Sequence, residues 1–450
     1  MGGRVWEREL WWYKLAHVCQ RWRNLILRSA SYLGLCLVCT YGTPIADMLA
    51  HSPPLPLVID YAGENHQLAG KVEEGIILAL EQRDRVRRVR LVVSLQTLQK
   101  LTMVMVEEYP VLEYLVMMSP ENRSTALMFP GAFQAPQLRH LLLVDFALPL
   151  GIRLLPNVVG LVTLALLVSD PSAYFLPNIL LQWLSFMPQL EALVISFVHP
   201  VPDDDVERQL MHMPSMTHAT LPNLRSFVFR GVSAYMGAVA PWLTTPHLEK
   251  LEIEFFNHLL PLSVPCPLQF IKTTENLRFD SAKLEFDFSK GWVFVGMYLR
   301  EKTETYAFSM NVYCWHLDEQ ISFLGHIFNS LSQIFSAVEH LTFERRIHIL
   351  SSEEHIEVDR REWRRLLMSF NNVKALRVNG GLVKEFSRCL RLDDGEDPLE
   401  LLPKLQELTY WDPIWRGAYA RDAFTSFVDA RQNAGLPVTL MRSRHLKYGH

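Results

Sequence analysis

A short phrase recurs along this chain and constrains its fold more than any other feature. Pro136-Gln-Leu138-Arg-His-Leu141-Leu-Leu143 returns as Pro188-Gln-Leu190-Glu-Ala-Leu193-Val-Ile195, Pro222-Asn-Leu224-Arg-Ser-Phe227-Val-Phe229 and Pro246-His-Leu248-Glu-Lys-Leu251-Glu-Ile253. Further copies begin at Pro110 and Pro403, and looser ones without the proline at Val86, Val338 and Val373. The last two apolar residues of each copy are two apart, which is strand periodicity and puts both side chains on one face. The leading Leu sits three residues earlier, where the chain turns into the strand. Pro just ahead of it forbids helix and withholds no ladder donor that is needed there. A unit of this kind cannot bury its apolar face alone and must stack on its neighbours.

The phrase Leu-x-x-Leu-x-Leu resembles the leucine-rich repeat. That resemblance implies an α/β solenoid with parallel strands on the concave side and helices outside. The intervals between copies are irregular, and each is long enough for a strand, a loop and a helix. Helical stripes are expected over Lys71–Arg83, Leu95–Glu108, Leu176–Met187, Asp318–Phe335 and Asp359–Phe370. Two places blur. The register near Leu161 starts at Val158 or at Leu161, and one unit is hidden between Leu277 and Val338, with Tyr306–Cys314 as its expected strand.

Composition narrows the function. A hydrophobic content of 49% with 20% charged residues suits buried strands. A net charge of −4 gives no electrostatic case for nucleic acid or anionic lipid. No stretch reaches the ~20 apolar residues of a membrane helix. Arg4, Glu7, Arg8 and Glu9 interrupt any signal-peptide core, so the sequon at Asn122 carries little meaning. Six cysteines in 450 residues fit a reducing compartment, cytoplasmic or nuclear.

The N-terminus differs from the rest. Trp11, Leu15, Val18, Trp22 and Leu25 or Ile26 are spaced by three and four, which predicts one helix with a single apolar face. The segment Leu15-Ala-His-Val18-Cys19-Gln-Arg21-Trp22-Arg23-Asn-Leu25-Ile26 resembles the second half of an F-box. The first ten residues lack the Leu-Pro-x-Glu-[Leu/Ile] phrase that opens such a domain. Residues 1–40 are therefore read as a partial F-box and 41–450 as irregular leucine-rich repeats. Together they resemble the F-box and leucine-rich-repeat proteins, substrate receptors of cullin–RING ubiquitin ligases of the SCF type. The resemblance implies that Leu15, Val18, Cys19, Trp22, Leu25 and Ile26 bind the ligase adaptor and that the repeats bind a protein substrate. The bland alternative is a helix capping the open end of the repeats, within a non-ligase interaction scaffold that carries a degenerate F-box.

Sites of chemistry are not expected. Cys36-Leu-Val-Cys39 lies in an apolar strand-like stretch with no second pair, so it reads as buried apolar Cys. His348 and His355 flank Glu353 and Glu354, but not in the His-Glu-x-x-His order of a zinc helix. Asp203–Asp205 lacks the alternating ligands and mid-loop Gly of a calcium loop. Glu344 to Arg365 reads as a charged surface loop entering a helix. With no phosphate loop, nucleophile elbow or cofactor motif, the chain reads as a non-catalytic binding protein without cofactors.

Period-two alternation predicts the residues facing a ligand. The early strands present Tyr114, Val116, Met118, His140, Leu142 and Val144, an apolar surface. The later ones present Arg230, Lys250, Glu252, Glu254, Arg377 and Trp411. Arg and Trp are the types that most often dominate interface energy, and these six are the candidate substrate-binding residues.

Overall fold

The computed structural model describes residues 11–30, 32–62, 70–121, 125–149, 151–198, 216–255, 270, 276–287, 291–302, 305–313, 317–330, 335–345, 359–392, 397, 399–411 and 424–443. The Asp203–Asp205 run, the sequon, His348, His355 and most of the 344–365 stretch lie outside them. The chain forms two compact units. Unit 1 is Met1–Val206 with Pro214–Leu224 and Trp242–Thr245; unit 2 is Glu207–Met213 with Arg225–Pro241 and Pro246–His450.

Unit 1 carries β1 (Leu37–Cys39), β2 (Leu57–Ala62), β3 (Val86–Val92), β4 (Tyr114–Met118), β5 (Leu127–Met128), β6 (His140–Val144), β7 (Phe146–Ala147), β8 (Thr163–Val168) and β9 (Ala192–Phe197). The longer strands form one parallel sheet in the order β1-β2-β3-β4-β6-β8-β9. β5 pairs with β7, and β10 (Ala219–Thr220) with β12 (Leu243–Thr244), as two-residue side ladders. Parallel pairing needs a crossover. Helices Ile45–His51, Gly70–Glu81, Leu95–Val104 and Pro177–Leu184 supply several of them and bury one face each. The helix expected over Leu95–Glu108 is shorter at its C-terminus, where Met105 turns out of the helix with its N–H on the Thr102 carbonyl.

The repeated proline has a sharper role than opening a strand. The residue before it accepts a hydrogen bond from the N–H of the leading Leu, three residues on. This holds for Tyr109 and Leu112 (3.3 Å), Ala135 and Leu138 (3.0 Å), Met187 and Leu190 (3.2 Å), Leu221 and Leu224 (3.3 Å), and Leu402 and Leu405 (3.0 Å). Pro is thus the second residue of a four-residue turn, the position its fixed φ suits best. The residue just before the leading apolar one ties its copy to the preceding copy. Asn223 Nδ2 donates to the Pro188 carbonyl at 3.1 Å, and Asn372 Nδ2 to the Ser336 carbonyl at 2.6 Å. Asn276 does the same to Pro246.

These turns deliver the Leu side chains to the core. Leu190, Leu193 and Ile195 are each 0% exposed, as are Leu112 and Leu115. Burying one such side chain contributes about 1.5–3 kcal/mol. The blurred register resolves at Leu161, which begins the copy running through Leu164 and Leu166, all buried. Val158 is also buried, as the residue closing the helical turn Leu154–Asn157.

Unit 2 departs from an all-parallel array. Its strands are β11 (Ser226–Gly231), β13 (Lys250–Phe255), β14 (Ser281–Asp287), β15 (Trp292–Tyr298), β16 (Phe308–Tyr313), β17 (His340–Arg345), β18 (Ala375–Asn379), β19 (Glu407–Trp411) and β20 (Thr439–Arg442). Their order is β11-β13-β16-β15-β14-β17-β18-β19-β20. β15 is antiparallel to both β14 and β16; the other pairs are parallel. The hidden unit between Leu277 and Val338 is therefore three strands, not one. β16 is the strand expected over Tyr306–Cys314. It lies beside β13, while β14, earlier in the chain, lies beside β17. Helix Leu317–Ser330 then leads on to β17, and helices Arg360–Leu367 and Val383–Leu390 follow. Helix Arg360–Leu367 packs against both of the others. Asp359 caps its helix by accepting the Arg361 N–H at 3.0 Å.

The N-terminal apolar helix is two helices, Trp11–Ala16 and Gln20–Arg28. His17 and Val18 turn between them, with the Val18 N–H on the Leu15 carbonyl at 3.2 Å. Cys19 is extended and its Sγ accepts the Trp22 N–H at 3.5 Å, starting the second helix as an N-cap. The single apolar stripe expected from Trp11 to Ile26 is broken by this turn.

Candidate functional site

In each unit the long strands bury their Leu-bearing face; the site is read on the other. In unit 1 the predicted open-face residues fall where alternation puts them. Tyr114 pairs in register with His140 and Val116 with Leu142. Val116 is nevertheless buried, while Tyr114, Met118, His140, Leu142 and Val144 are half-buried. Arg88 covers the Tyr114 ring at 4.9 Å, and Tyr114 meets the His140 ring at 5.9 Å. Burial, with Arg88 and Arg139 nearby, holds the His140 imidazole below its usual pKa. At the start of the sheet Cys36, Val38 and Val58 form an apolar cluster. Cys39 is wholly buried and its thiol is pushed up to about 12 by desolvation, so the Cys-x-x-Cys is inert packing. Among the described residues no group of His, Cys, Asp and Glu is placed to hold a metal.

In unit 2 the six predicted residues all lie on the open face. Arg230 sits on β11 opposite Glu254 of β13. Its Nη2 meets Glu252 and its Nε meets Glu254, each at 3.3 Å, while Lys250 Nζ is 3.6 Å from Glu252. Four of the six thus form one ion network. Such pairs, half in water, contribute about 0–1 kcal/mol each and set charge pattern more than stability. Arg377 on β18 and Trp411 on β19 are brought near one another, since Arg377 pairs with Thr409 and Asn379 with Trp411. They are separated from the Arg230 network by β16, β15, β14 and β17.

Those intervening strands hold the residues that sequence reasoning missed. A cleft of about 430 Å³ opens there, with Glu254, Lys283, Glu285 and Asn311 at its polar side. Trp292, Phe294, Tyr306 and Tyr313 make its walls. Glu254, Asn311, Phe294 and Glu285 follow one another across four strands in a single register row. Lys283 Nζ lies 2.9 Å from Glu285 and 2.8 Å from Glu344. Burial alone would lower this ammonium's pKa; the two hydrogen bonds and the carboxylate charges outweigh it and hold the group above its usual value. Tyr313 Oη donates to Glu254 at 3.5 Å, and burial with that carboxylate raises its pKa. Phe294 and Tyr306 meet edge to face at 5.1 Å, and Trp292 and Phe294 at 6.5 Å. Gly296 makes room for this arrangement, because a Cβ there would stand 2.7 Å from the Phe294 ring and clash with Tyr306 as well. The alternation Val293-x-Val295-x-Met297 was a readable strand signal; aromatic residues on the outward positions obscured it.

The six N-terminal residues behave unequally. Ile26 is buried and Leu15 partly so, which serves packing. Val18, Trp22 and Leu25 are exposed at 63%, 47% and 59%, and Cys19 is exposed too. Trp12, not among the expected residues, is buried.

No protein-family model matches this chain, and no curated protein does. Among solved structures it is similar to the leucine-rich repeat-containing protein LegL7 from Legionella pneumophila, at 10% identity over 87% of this chain and 97% of that one, with a TM-score of 0.24. The mixed α/β fold of this chain rests on the large, mainly parallel sheets described above.

Proposed function

We propose that this chain is a non-catalytic protein-recognition subunit, the substrate receptor of a cullin–RING ubiquitin ligase, acting in the cytoplasm or nucleus. One observation carries the reading: helix Gln20–Arg28 and the turn before it expose Val18 and Trp22, the ends of the Val-Cys-x-x-Trp phrase that resembles an F-box, and Leu25 one turn on. Large apolar side chains clustered in water mark a docking surface. The adaptor subunit of the ligase is the proposed partner there. The open face of the sheets, with its ion network and aromatic cleft, is the proposed seat of a protein substrate. Among the described residues no helix is long and apolar enough to cross a membrane.

The test is capture of this chain by purified ligase adaptor, beside a Trp22→Ala/Val18→Asp variant. Capture that the double variant loses supports the receptor reading. Absence of capture by the unaltered chain removes the ligase link and leaves an interaction scaffold, the second reading.

A further inference from the structure

The aromatic cleft of unit 2 has a chemistry that selects its guest. Its walls are rings, and the π-faces of Trp and Tyr attract a cation that is taken out of water. Its floor holds the carboxylates of Glu254 and Glu285. Lys283 beside them is held between Glu285 and Glu344, one cation against two carboxylates, so this group of three keeps one negative charge. Arg230, which does not line the cleft, pairs with Glu254 from β11, and Tyr313 donates to it from the cleft wall; the Glu254 side chain remains 24% exposed. An anion entering here meets the carboxylates of Glu254 and Glu285. A neutral apolar group would strip water from Glu254 without replacing it, at a cost. A cation on a long stem satisfies both surfaces: its head meets Glu254 and its stem lies along the rings.

We propose that this cleft takes a basic side chain, arginine or lysine, from a protein segment lying across the open face of unit 2. The proposal rests on the reading of that face as a protein-binding surface and adds the chemistry of the bound segment. Gly296 is a positioning residue for it, since its missing Cβ lets the Tyr306 ring lie against the strand.

The experiment uses the full chain and four peptides, fluoresceinyl-Ser-Gly-X-Gly-Ser-amide with the label on the N-terminal amine and X as Arg, Lys, Gln or Glu, followed by anisotropy at low salt. The Arg and Lys peptides are expected to bind at least tenfold more tightly than the Gln and Glu peptides. Glu254→Gln and Trp292→Ala should each weaken the Arg peptide about tenfold. Glu254→Gln keeps shape and removes charge, so it serves as the decisive variant if Trp292→Ala disturbs folding; circular dichroism melting checks both. No measurable binding of either basic peptide overturns the proposal. So does equal binding of the Gln peptide, or an unchanged affinity in Glu254→Gln. Adaptor capture is independent of this cleft: peptide failure with capture intact removes the cleft's ligand and keeps the receptor reading, and the converse result removes the ligase link alone.

Discussion

Replacing Lys283 by Met tests whether the floor of the cleft is held by charge. Lys283 lies between Glu285 and Glu344 at 2.9 and 2.8 Å, and the Glu285 side chain is 5% exposed. Met keeps most of the aliphatic stem and removes only the ammonium. What remains is a carboxylate almost out of water with its cation gone. Breaking a buried pair from one side costs about 3–5 kcal/mol. Lys283 is a quarter exposed and Glu344 is 17% exposed, so the low end applies, about 3 kcal/mol. Changing Glu285 to Gln in the same chain removes the more deeply buried of the two stranded charges, and the double variant should recover most of the loss. A chain of two units need not unfold in one step. The assay is therefore native hydrogen exchange read by mass spectrometry on peptides covering Ser281–Asp287 and His340–Arg345. The single variant should exchange roughly a hundredfold faster there, with peptides of unit 1 unchanged. Equal exchange in the single variant and the original, or a double variant no better than the single one, would refute the reasoning.

Leu251→Ala and Glu252→Ala, neighbours on opposite faces of β13, should differ sharply: the first costs about 2–5 kcal/mol because Leu251 is fully buried, the second stays within about 0.5 kcal/mol. Equal losses in urea unfolding would put the register one residue out. Gly296→Ala should displace the Tyr306 and Phe294 rings and abolish binding of the basic peptides while β15 stays protected from exchange; unchanged binding would show that the rings do not shape the cleft. Iodoacetamide at mild alkaline pH should modify Cys19 and spare Cys36, Cys39 and Cys389 in the folded chain, since burial pushes the Cys39 and Cys389 thiols up to about 12; peptide mass spectrometry reads the pattern, and labelling of Cys39 ahead of Cys19 would contradict it. His140 has its folded pKa lowered, so the unfolded chain takes the proton first as pH falls through 6.5, and its share of stability is present above that pH and lost on acidification. His140→Gln should therefore flatten the loss of thermal midpoint between neutral pH and about pH 5.

Much of this architecture was legible from residue order alone, because the information was local. Strand periodicity and a turn are properties of a few consecutive residues, so Leu190, Leu193 and Ile195 could be assigned to the core and Arg230 and Glu252 to the open face without knowing any partner. The helices showed equally well, since a stripe such as Val72, Ile76, Ala79 and Leu80 needs only its own segment. Tertiary structure decided whatever depends on which segments meet. Nothing within Trp292–Tyr298 says that it runs antiparallel between β14 and β16, because strand order follows from how the connections let the chain fold back. The cleft exists only through that order: it gathers Glu254 from one repeat with Lys283 and Glu285 from β14 and the rings of Trp292 and Tyr306. The break at Cys19 is of the same kind on a smaller scale. Spacing by three and four permitted one continuous helix, and a turn at His17 and Val18 with a side-chain cap divided it, turning Ile26 into the packing and leaving Trp22 in water.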